Sequence, residues 1–365
     1  MSEFSAWDHQ MMARALRLAE RGAYTCKPNP MVGCVLSHDG QIVGEGFHQR
    51  AGEAHAEVHA LRAAGGRAFG ATAYVTLEPC AHTGRTGPCA DALIAAGVSE
   101  VVAAMQDPFA EVAGKGFDKL RAAGIRVRVG LMEAQARQLN HGFLSRIERG
   151  RPWLRVKLAC SLDGRTAMAN GDSKWISGEA SRLDVQHWRA RAGAILTGAG
   201  TVLADDPSLT VRLGDDTAFV PPLRVVLDAG LATVARGKVR EGDAPTLYVH
   251  VADAKPPRQM QAQTAVAAAE GGRFDLLAVL RLLAARGVNE VQVEAGSTLA
   301  GAFVEAGLAD EILLYVAPVL LGDSARPLFS GLDIQQMMQR RHFRIVDSRV
   351  IGTDQRILLR PSHSS

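Results

Sequence analysis

Three side chains that can bind a soft metal ion come from separate parts of this sequence, and they constrain its fold more than any other feature. His55 is followed by Cys80 and then by Cys89, so one imidazole and two thiols would have to meet at one point. Three protein ligands leave the fourth position of a tetrahedral zinc ion open for water, which distinguishes a catalytic zinc from a closed structural one. The sequence therefore predicts one zinc per chain, held by distant segments.

A carboxylate accompanies the three ligands. Glu57 stands two residues after His55, close enough to move protons at the metal without being a ligand itself. The order H-x-E, then P-C, then a second Cys is the signature of zinc-dependent nucleobase deaminases. A structural zinc site is the alternative, but it would need a fourth Cys or His at short spacing and would not need Glu57. A solvated histidine with a buried cysteine is the simplest alternative.

The segment between the two cysteines is longer than usual for such sites. Cys80 and Cys89 enclose the eight residues from 81 to 88, where two is the common spacing. A segment of that length must loop over the metal, so we expect His82 and Arg85 to face a substrate. Asn29 precedes a predicted strand that would pass beside the zinc. It is either a turn residue or a hydrogen-bond partner of the substrate.

Strand-like and helix-like patterns alternate along the chain, which indicates an α/β architecture around a mixed sheet in the first part. The sequence predicts one helix over 135–147, a linker over 149–152 and a domain boundary near Gly150. The expected domains are therefore residues 1–149 and 150–365, in agreement with a length of 365 residues. In the second domain Ser177 is expected to cap a helix over 178–191. Residues 258–273 are expected to form a surface connection.

Two glycine motifs in the second part each follow a predicted strand, namely Gly198-Ala199-Gly200 and Gly296 to Gly301. The first lacks the third small residue of a dinucleotide fingerprint. The second has the glycine spacing of a P-loop without its Lys-Ser/Thr. Backbone amides near helix starts bind phosphates readily, so the motifs indicate either phosphate or dinucleotide binding or simple tight turns.

Composition excludes several classes of function. The net charge of +3 is spread along the chain and aromatic residues make up 5%, whereas a nucleic-acid-editing deaminase would need a basic stripe and aromatic stacking residues. Five cysteines, an odd number, indicate a reducing compartment. The N-terminus lacks a signal-peptide pattern and no apolar run reaches membrane-spanning length. We expect a cytoplasmic enzyme without membrane or nucleic-acid partners, assembled as a homo-oligomer.

The motifs of the first part resemble the deaminase half of the RibD family of bifunctional riboflavin-biosynthesis enzymes. They are residues 55–61, 76–80 and 84–89. The resemblance implies a cytidine-deaminase-like three-layer α/β/α domain in which Glu57 is the proton shuttle. It also implies contacts to a phosphorylated pyrimidine substrate from Asn29, His48, His82 and Arg85. The long spacing between the thiols is typical of that family.

The motifs of the second part, residues 157–164, 173–176, 198–207 and 293–296, are similar to the reductase half of the same family. That half has a dihydrofolate-reductase-like α/β fold and uses NADPH. The implied cofactor contacts are Ala159, Trp175, Thr201, Asp205, Gly296, Ser297, Thr298, Leu299, Ala300, Gly301 and Ala302. The implied substrate contacts are Ser173, Arg189, Leu209, Arg212 and Glu294, the two arginines being suited to a sugar phosphate.

Together the two resemblances imply consecutive reactions on one pathway. The first would remove the 2-amino group of 2,5-diamino-6-ribosylamino-4(3H)-pyrimidinone 5′-phosphate by hydrolysis, and the second would reduce its ribosyl group to ribityl. One position departs from the expected pattern, because Ala229 stands where a hydroxyl residue can contact the cofactor. A zinc-stabilised binding or regulatory protein remains the alternative from a different class.

Overall fold

The computed structural model describes residues 4–81, 87–109, 113–173, 175–214, 216–235, 237–256, 263–270 and 273–362. The chain divides into two compact units, Met1–Arg149 and Gly150–Ser365. Within the described ranges, no helix is both long enough and apolar enough to span a membrane.

The first unit has one mixed sheet. Its helices are α1 (Ala6–Glu20), α2 (Ala56–Ala64), α3 (Cys89–Ala95), α4 (Lys115–Ala122), α5 (Glu133–Leu139) and α6 (His141–Arg149), and its strands are β1 (Gly33–His38), β2 (Gln41–Phe47), β3 (Thr72–Val75), β4 (Glu100–Ala103) and β5 (Arg126–Val129). The strand order is β2-β1-β3-β4-β5. The pairs that involve β1 are antiparallel, and β3, β4 and β5 are parallel.

Helices cover both faces of this sheet and complete a three-layer α/β/α sandwich. On one face, α2, α3 and α4 bury Ala60, Leu93 and Leu120 against β1, β3 and β4. On the other face, α1, α5 and α6 form a second core in which Met12 and Leu144 are buried. The expected fold class of the first domain is confirmed.

Two glycines of β2 allow α2 to lie directly on the sheet. A Cβ atom on Gly46 would stand 2.4 Å from the carbonyl oxygen of Ala56, and one on Gly44 would stand 2.3 Å from that of Ala60. Real side chains do not tolerate such distances, so any larger residue would push the helix away. The glycines of β2 thereby set the position of the helix that follows His55.

The second unit is built on a larger sheet. Its helices are α7 (Glu179–Arg191), α8 (Ala199–Asp205), α9 (Leu276–Ala285) and α10 (Ser297–Glu305), and its strands are β6 (Trp153–Ser161), β7 (Arg165–Ala167), β8 (Ala194–Gly198), β9 (Leu223–Leu227), β10 (Thr246–His250), β11 (Gln263–Val266), β12 (Ala269–Glu270), β13 (Arg273–Phe274), β14 (Glu290–Val293), β15 (Glu311–Ala317), β16 (Arg326–Pro327), β17 (Phe343–Ile351) and β18 (Asp354–Pro361). The main sheet has the order β11-β10-β9-β8-β14-β6-β15-β18-β17.

The strands from β11 to β15 in this order are parallel, and the hairpin of β17 and β18 is antiparallel. Helices α9 and α10 bury Leu280 and Phe303 on one face of the sheet. On the other face Val185 of α7 packs with Leu313 and Tyr315. Because parallel strands end at the same edge, β8 and β14 deliver the segments that begin at Gly198 and Gly296 to neighbouring positions.

Three local predictions are wrong. The helix predicted over 135–147 is two helices, α5 and α6, which are separated at Asn140. The side chain of Asn140 forms two hydrogen bonds with the backbone of Met31, at 2.8 and 2.9 Å, and these bonds hold the chain at the break. Ser177 does not cap α7. The cap residue is Gly178, whose N–H donates to the carboxylate of Asp354 at 2.8 Å.

The third error lies in the predicted surface connection over 258–273. Its residues 263–266 form β11, which pairs in parallel with β10. The weak apolar pattern is that of a strand at the edge of a sheet, where one side has no neighbouring strand. Periodicity alone does not reveal such a strand.

Candidate functional sites

The three predicted zinc ligands lie together. His55 precedes the first residue of α2, Cys89 is the first residue of α3, and Cys80 lies in the segment after β3. Their ligand atoms all lie within 4.8 Å of one another. His55 Nδ1 is 3.2 Å from Cys89 Sγ and 3.6 Å from Cys80 Sγ. One nitrogen and two sulfur atoms at these distances are a donor set that suits zinc.

The start of α3 also stabilises a thiolate. The backbone N–H of Cys89 donates to Cys80 Sγ at 3.3 Å. The hydrogen bond from the Cys89 thiol lowers the pKa of Cys80. The same bond raises the pKa of Cys89. The thiolate form of Cys80 is thereby favoured, and the thiolate is the form that binds a metal ion.

Glu57 lies in the first turn of α2, with 3% of its surface exposed. Burial raises its pKa to about 7, although the charge of His55 acts in the opposite direction. Among the described residues, its Oε2 atom has no hydrogen-bond partner. A buried carboxyl whose pKa is near 7 and which has a free oxygen can both accept and return a proton at neutral pH.

Two of the predicted substrate residues meet beside the metal ligands. The Asn29 amide nitrogen is 3.0 Å from His48 Nε2, and His48 Nδ1 is 3.2 Å from the carbonyl oxygen of Ala54. The rings of His48 and His55 form an edge-on pair with centroids 5.2 Å apart. Burial lowers the pKa of His48 and so favours the neutral form of its ring. The other two, His82 and Arg85, lie outside the described residues.

In the second unit, two helix starts meet at one edge of the sheet. Gly198 precedes α8 and Gly296 precedes α10. The side chain of Leu299 lies 3.6 Å from the position that a Cβ atom of Gly198 would occupy. The predicted cofactor residues Thr201 and Ser297–Ala302 thus lie on two adjacent helices whose amide groups suit phosphates.

Gly301 has a packing role in addition to any contact with a ligand. A Cβ atom at this position would stand 2.0 Å from the carbonyl oxygen of Ser330. Three further predicted cofactor residues lie away from the starts of these two helices. Ala159 belongs to β6, Asp205 is the last residue of α8, and Trp175 is 72% exposed with the guanidinium of Arg182 4.5 Å from its ring centroid.

An ion pair joins two of the predicted substrate residues. Arg189 of α7 binds the carboxylate of Glu294 through Nε and Nη2, each at 2.7 Å. Burial alone would raise the pKa of Glu294, but the charge and hydrogen bonds of Arg189 outweigh it and lower that pKa to about 2. Arg189 also donates to the carbonyl oxygen of Thr210 at 2.9 Å. Its guanidinium is thus engaged on three sides.

The segment from Leu209 to Arg212 lies along the same helix. Gln186 of α7 accepts a hydrogen bond from the Arg212 N–H at 3.0 Å. Leu209 is buried, whereas the Arg212 side chain is exposed. Ser173 lies in the loop between β7 and α7. The structure therefore brings four of the five predicted substrate residues to α7 and the end of β14.

Two polar residues of this site were missed. Lys157 of β6 interacts electrostatically with Glu294, and its Nζ lies 5.8 Å from the ring centroid of Tyr315. Burial lowers its pKa. Gln292 of β14 donates to Glu294 at 2.8 Å. A lysine and a glutamine among the apolar residues of two inner strands were the available signal, because such residues are seldom placed there without a polar partner.

Family comparisons identify the chain. Residues 152–357 match the model of the RibD C-terminal domain, and residues 5–105 match the zinc-binding region of cytidine and deoxycytidylate deaminases. The chain is 49% identical to the riboflavin biosynthesis protein RibD of Escherichia coli K12, over 95% of this chain and 97% of that protein. The chain belongs to the RibD family. RibD of Bacillus amyloliquefaciens is 45% identical, over 94% of this chain and 93% of its own.

Solved structures of RibD proteins have the same fold. RibD of Acinetobacter baumannii superposes with a TM-score of 0.91 at 46% identity, over 98% of this chain and 99% of that one. A deaminase and reductase from Thermotoga maritima superposes with a TM-score of 0.87 at 33% identity, over the same shares. The expected fold class and the membership inferred from the motifs are confirmed. The comparisons therefore show a bifunctional enzyme of riboflavin biosynthesis. They exclude both alternatives, the nucleic-acid-editing deaminase and the zinc-stabilised binding protein.

Proposed function

We propose that the first unit deaminates 2,5-diamino-6-ribosylamino-4(3H)-pyrimidinone 5′-phosphate and that the second unit reduces 5-amino-6-(5-phosphoribosylamino)uracil with NADPH. One observation carries the proposal. The Thermotoga maritima protein, described as diaminohydroxyphosphoribosylaminopyrimidine deaminase and 5-amino-6-(5-phosphoribosylamino)uracil reductase, matches both units. The residues that the two reactions need are also grouped within each unit.

The deaminase reaction would use one zinc ion per chain, bound by His55, Cys80 and Cys89. When bound, zinc would act as a Lewis acid and make water acidic enough to ionise near neutral pH. Glu57 takes the proton of the attacking water through its free oxygen and passes it to the departing amino nitrogen. Burial favours the protonated form of this carboxyl, and its free oxygen is a place at which the transferred proton can be held.

Asn29 and His48 would hold the pyrimidine ring beside the ligands. His48 donates through Nδ1 to Ala54 and accepts through Nε2 from Asn29, which is the arrangement of a neutral ring. The Asn29 amide thereby keeps a fixed orientation, and its oxygen is available to the substrate. His82 and Arg85 would complete this side of the site and contact the phosphate.

The reductase reaction would use NADPH, which supplies the hydride. The amide groups at the starts of α8 and α10 would bind its phosphates, and Trp175, Ala159, Thr201 and Asp205 would complete the cofactor site. Glu294 would bind the ribosyl hydroxyl groups, with its charge kept by Arg189. Lys157 would add a positive charge on this side, and the exposed Arg212 would bind the substrate phosphate.

The assignment of one activity to each unit is tested by cutting the chain at Gly150. We expect the fragment of residues 1–149 to bind zinc and release ammonia from the first substrate. We expect the fragment of residues 150–365 to bind NADPH and oxidise it only with the deaminated substrate. NADPH binding by the first fragment, measured by calorimetry on folded protein, would contradict the assignment.

We also propose that the chain forms a homo-oligomer in the cytoplasm. Strand β17 is the last strand of the second sheet, and it exposes 64% of Ile345 and 71% of Val350. The preceding segment exposes 90% of Met338. A long apolar edge strand is usually covered in native proteins, and a second copy would cover it. Light scattering that gives the mass of a single chain at micromolar concentration would contradict this proposal.

A further inference from the structure

Glu78 belongs to the segment that carries a zinc ligand, but its side chain points to another part of the first unit. Its Oε1 atom accepts hydrogen bonds from the N–H groups of Gly116 and Phe117, at 2.9 and 3.4 Å. Its Oε2 atom accepts from the N–H groups of Asp107 and Gly114, at 3.2 and 3.0 Å. The carboxylate thus binds four amides, that of Asp107 and three at the start of α4.

Burying the Glu78 carboxylate lowers the stability of the fold unless all four hydrogen bonds are made. Glu78 is only 4% exposed, and a buried carboxylate is strongly destabilising when its oxygen atoms lack donors. Bonds from backbone N–H groups to a charged acceptor are among the stronger hydrogen bonds in proteins. Glu78 is therefore a firm connection between two segments that lie about thirty residues apart in the chain.

The main chain after Glu78 is fixed by the same helix. A Cβ atom on Gly116 would stand 1.9 Å from the carbonyl oxygen of Pro79, so Pro79 lies directly against the first turn of α4. The side chain of Glu78 and the main chain of Pro79 hold consecutive residues against one surface. Little freedom is left in the direction in which the chain continues.

Cys80 is the next residue, and two of its own hydrogen bonds are made with the start of α3. The Cys80 carbonyl oxygen accepts from the N–H of Ala90 at 3.1 Å, and its sulfur accepts from the N–H of Cys89 at 3.3 Å. These bonds hold Cys80 to the start of α3. The contacts of Glu78 and Pro79 hold the preceding residues to the start of α4, so Cys80 is fixed from both directions.

We propose that Glu78 is a positioning residue of the deaminase site, which acts on the metal through Cys80 without contacting metal or substrate. The inference rests on the zinc-dependent deamination of the proposed function. Residues that orient metal ligands usually contribute 10–100-fold to metal affinity or activity. We expect an effect of this size when the four amides lose their acceptor.

The test uses the full-length protein with Glu78→Gln. Glutamine has nearly the same shape, but its amide nitrogen is a donor and would face two backbone donors. We expect the dissociation constant for zinc, measured by chelator competition, to rise about 10–100-fold. We also expect kcat for deamination to fall more than KM changes, and the d–d absorption of the cobalt-substituted protein to shift.

Asp8→Asn is the matched control in the same unit. Asp8 is a buried carboxylate that accepts from the Ser5 N–H, Tyr74 and Arg128, and it has no bond to the segment around Cys80 among the contacts described for it. We expect this variant to lower the melting temperature but to keep the cobalt spectrum and zinc affinity. NADPH oxidation by either variant reports on the second unit of the same chain.

Glu78→Asp keeps the charge and retracts it by one methylene, so it provides a milder change if Glu78→Gln does not fold. We expect it to give an intermediate zinc affinity and a partly shifted spectrum. Parental affinity, spectrum and kcat in every folded variant of Glu78 would overturn the proposal, as would equal losses in Asp8→Asn. A parental protein that neither binds zinc nor deaminates would instead refute the proposed function.

Discussion

In the first unit, the candidate functional side chains belong to short segments that meet beside two helix starts, whereas in the second unit they come from strands and helices between Ala159 and Ala302. His55 and Glu57 flank the start of α2, and Cys89 begins α3. In the second unit, Arg189 reaches Glu294 across 105 positions of sequence. The proposed first site is made of specific side chains, whereas the proposed second site would rely largely on backbone amides and one ion pair. We therefore expect different changes to inactivate the two sites.

Removal of zinc should give the largest difference between the units. We expect protein purified without chelator to contain about one zinc per chain, and dialysis against a chelator to abolish ammonia release. NADPH oxidation with the deaminated substrate should persist, because none of the residues proposed for it is a zinc ligand. Metal analysis next to both assays checks this. Full deamination by zinc-free protein would contradict the metal assignment.

Glu57→Gln should be the next largest effect. Glutamine keeps the shape of the side chain but cannot carry a proton, so we expect ammonia release to fall roughly 10²–10⁴-fold. Zinc content and NADPH oxidation should stay near parental values. Rates are compared at saturating substrate, with zinc measured in the same sample. A parental rate of deamination would rule out Glu57 as the proton carrier.

Gly46→Ala tests whether packing of β2 sets the position of α2. The new methyl group would meet the carbonyl oxygen of Ala56 at 2.4 Å, so we expect the first unit to lose about 1–3 kcal/mol of stability together with deaminase activity. Gly66→Ala is the control, because a Cβ atom there meets nothing within 4 Å among the described atoms. Thermal unfolding of both variants provides the comparison. Equal stability would disprove the packing argument.

The ion pair of the second unit should give a smaller effect that depends on pH. The pKa of Glu294 is about 2 in the folded protein, below its ordinary value of 4.5. The unfolded chain therefore binds more protons between these values, so the stability that the pair contributes is present above pH 4.5 and is lost as pH falls toward 2. We expect Glu294→Gln to flatten this dependence.

The measurement is the melting temperature of the transition that NADPH raises, followed from pH 6 to pH 3 in parental and Glu294→Gln protein. The difference in melting temperature between the two proteins should narrow as the pH falls. The narrowing should correspond to a change of roughly 1–2 kcal/mol in the free energy of unfolding. A difference that stays constant across this range would show that the carboxylate does not titrate with a lowered pKa. Other carboxyl groups contribute equally to both proteins and cancel.

Local sequence predicted those parts of the molecule that depend on neighbouring residues. The alternation of strands and helices was predictable because it rests on local periodicity. The candidate ligands His55, Cys80 and Cys89 and the neighbouring Glu57 were recognisable from residue type and from the order of the motifs. The same reasoning was wrong at Asn140, where a hydrogen bond to Met31, 109 positions away, interrupts a helix pattern. It was also wrong at Ser177, because a carboxylate from the last hairpin, Asp354, binds the start of α7.

By itself, then, the sequence determined that both units are α/β, that the first unit carries a donor set suited to zinc and that a carboxylate stands two residues from one of those donors. Only the tertiary structure decided that Asn29 faces His48, that Arg189 is paired with Glu294 and that Lys157 lies beside them. It also decided that Glu78 binds the start of α4 rather than the metal. The physical reason is that these contacts join residues far apart in the chain, whose meeting depends on sheet order and helix packing rather than on local pattern.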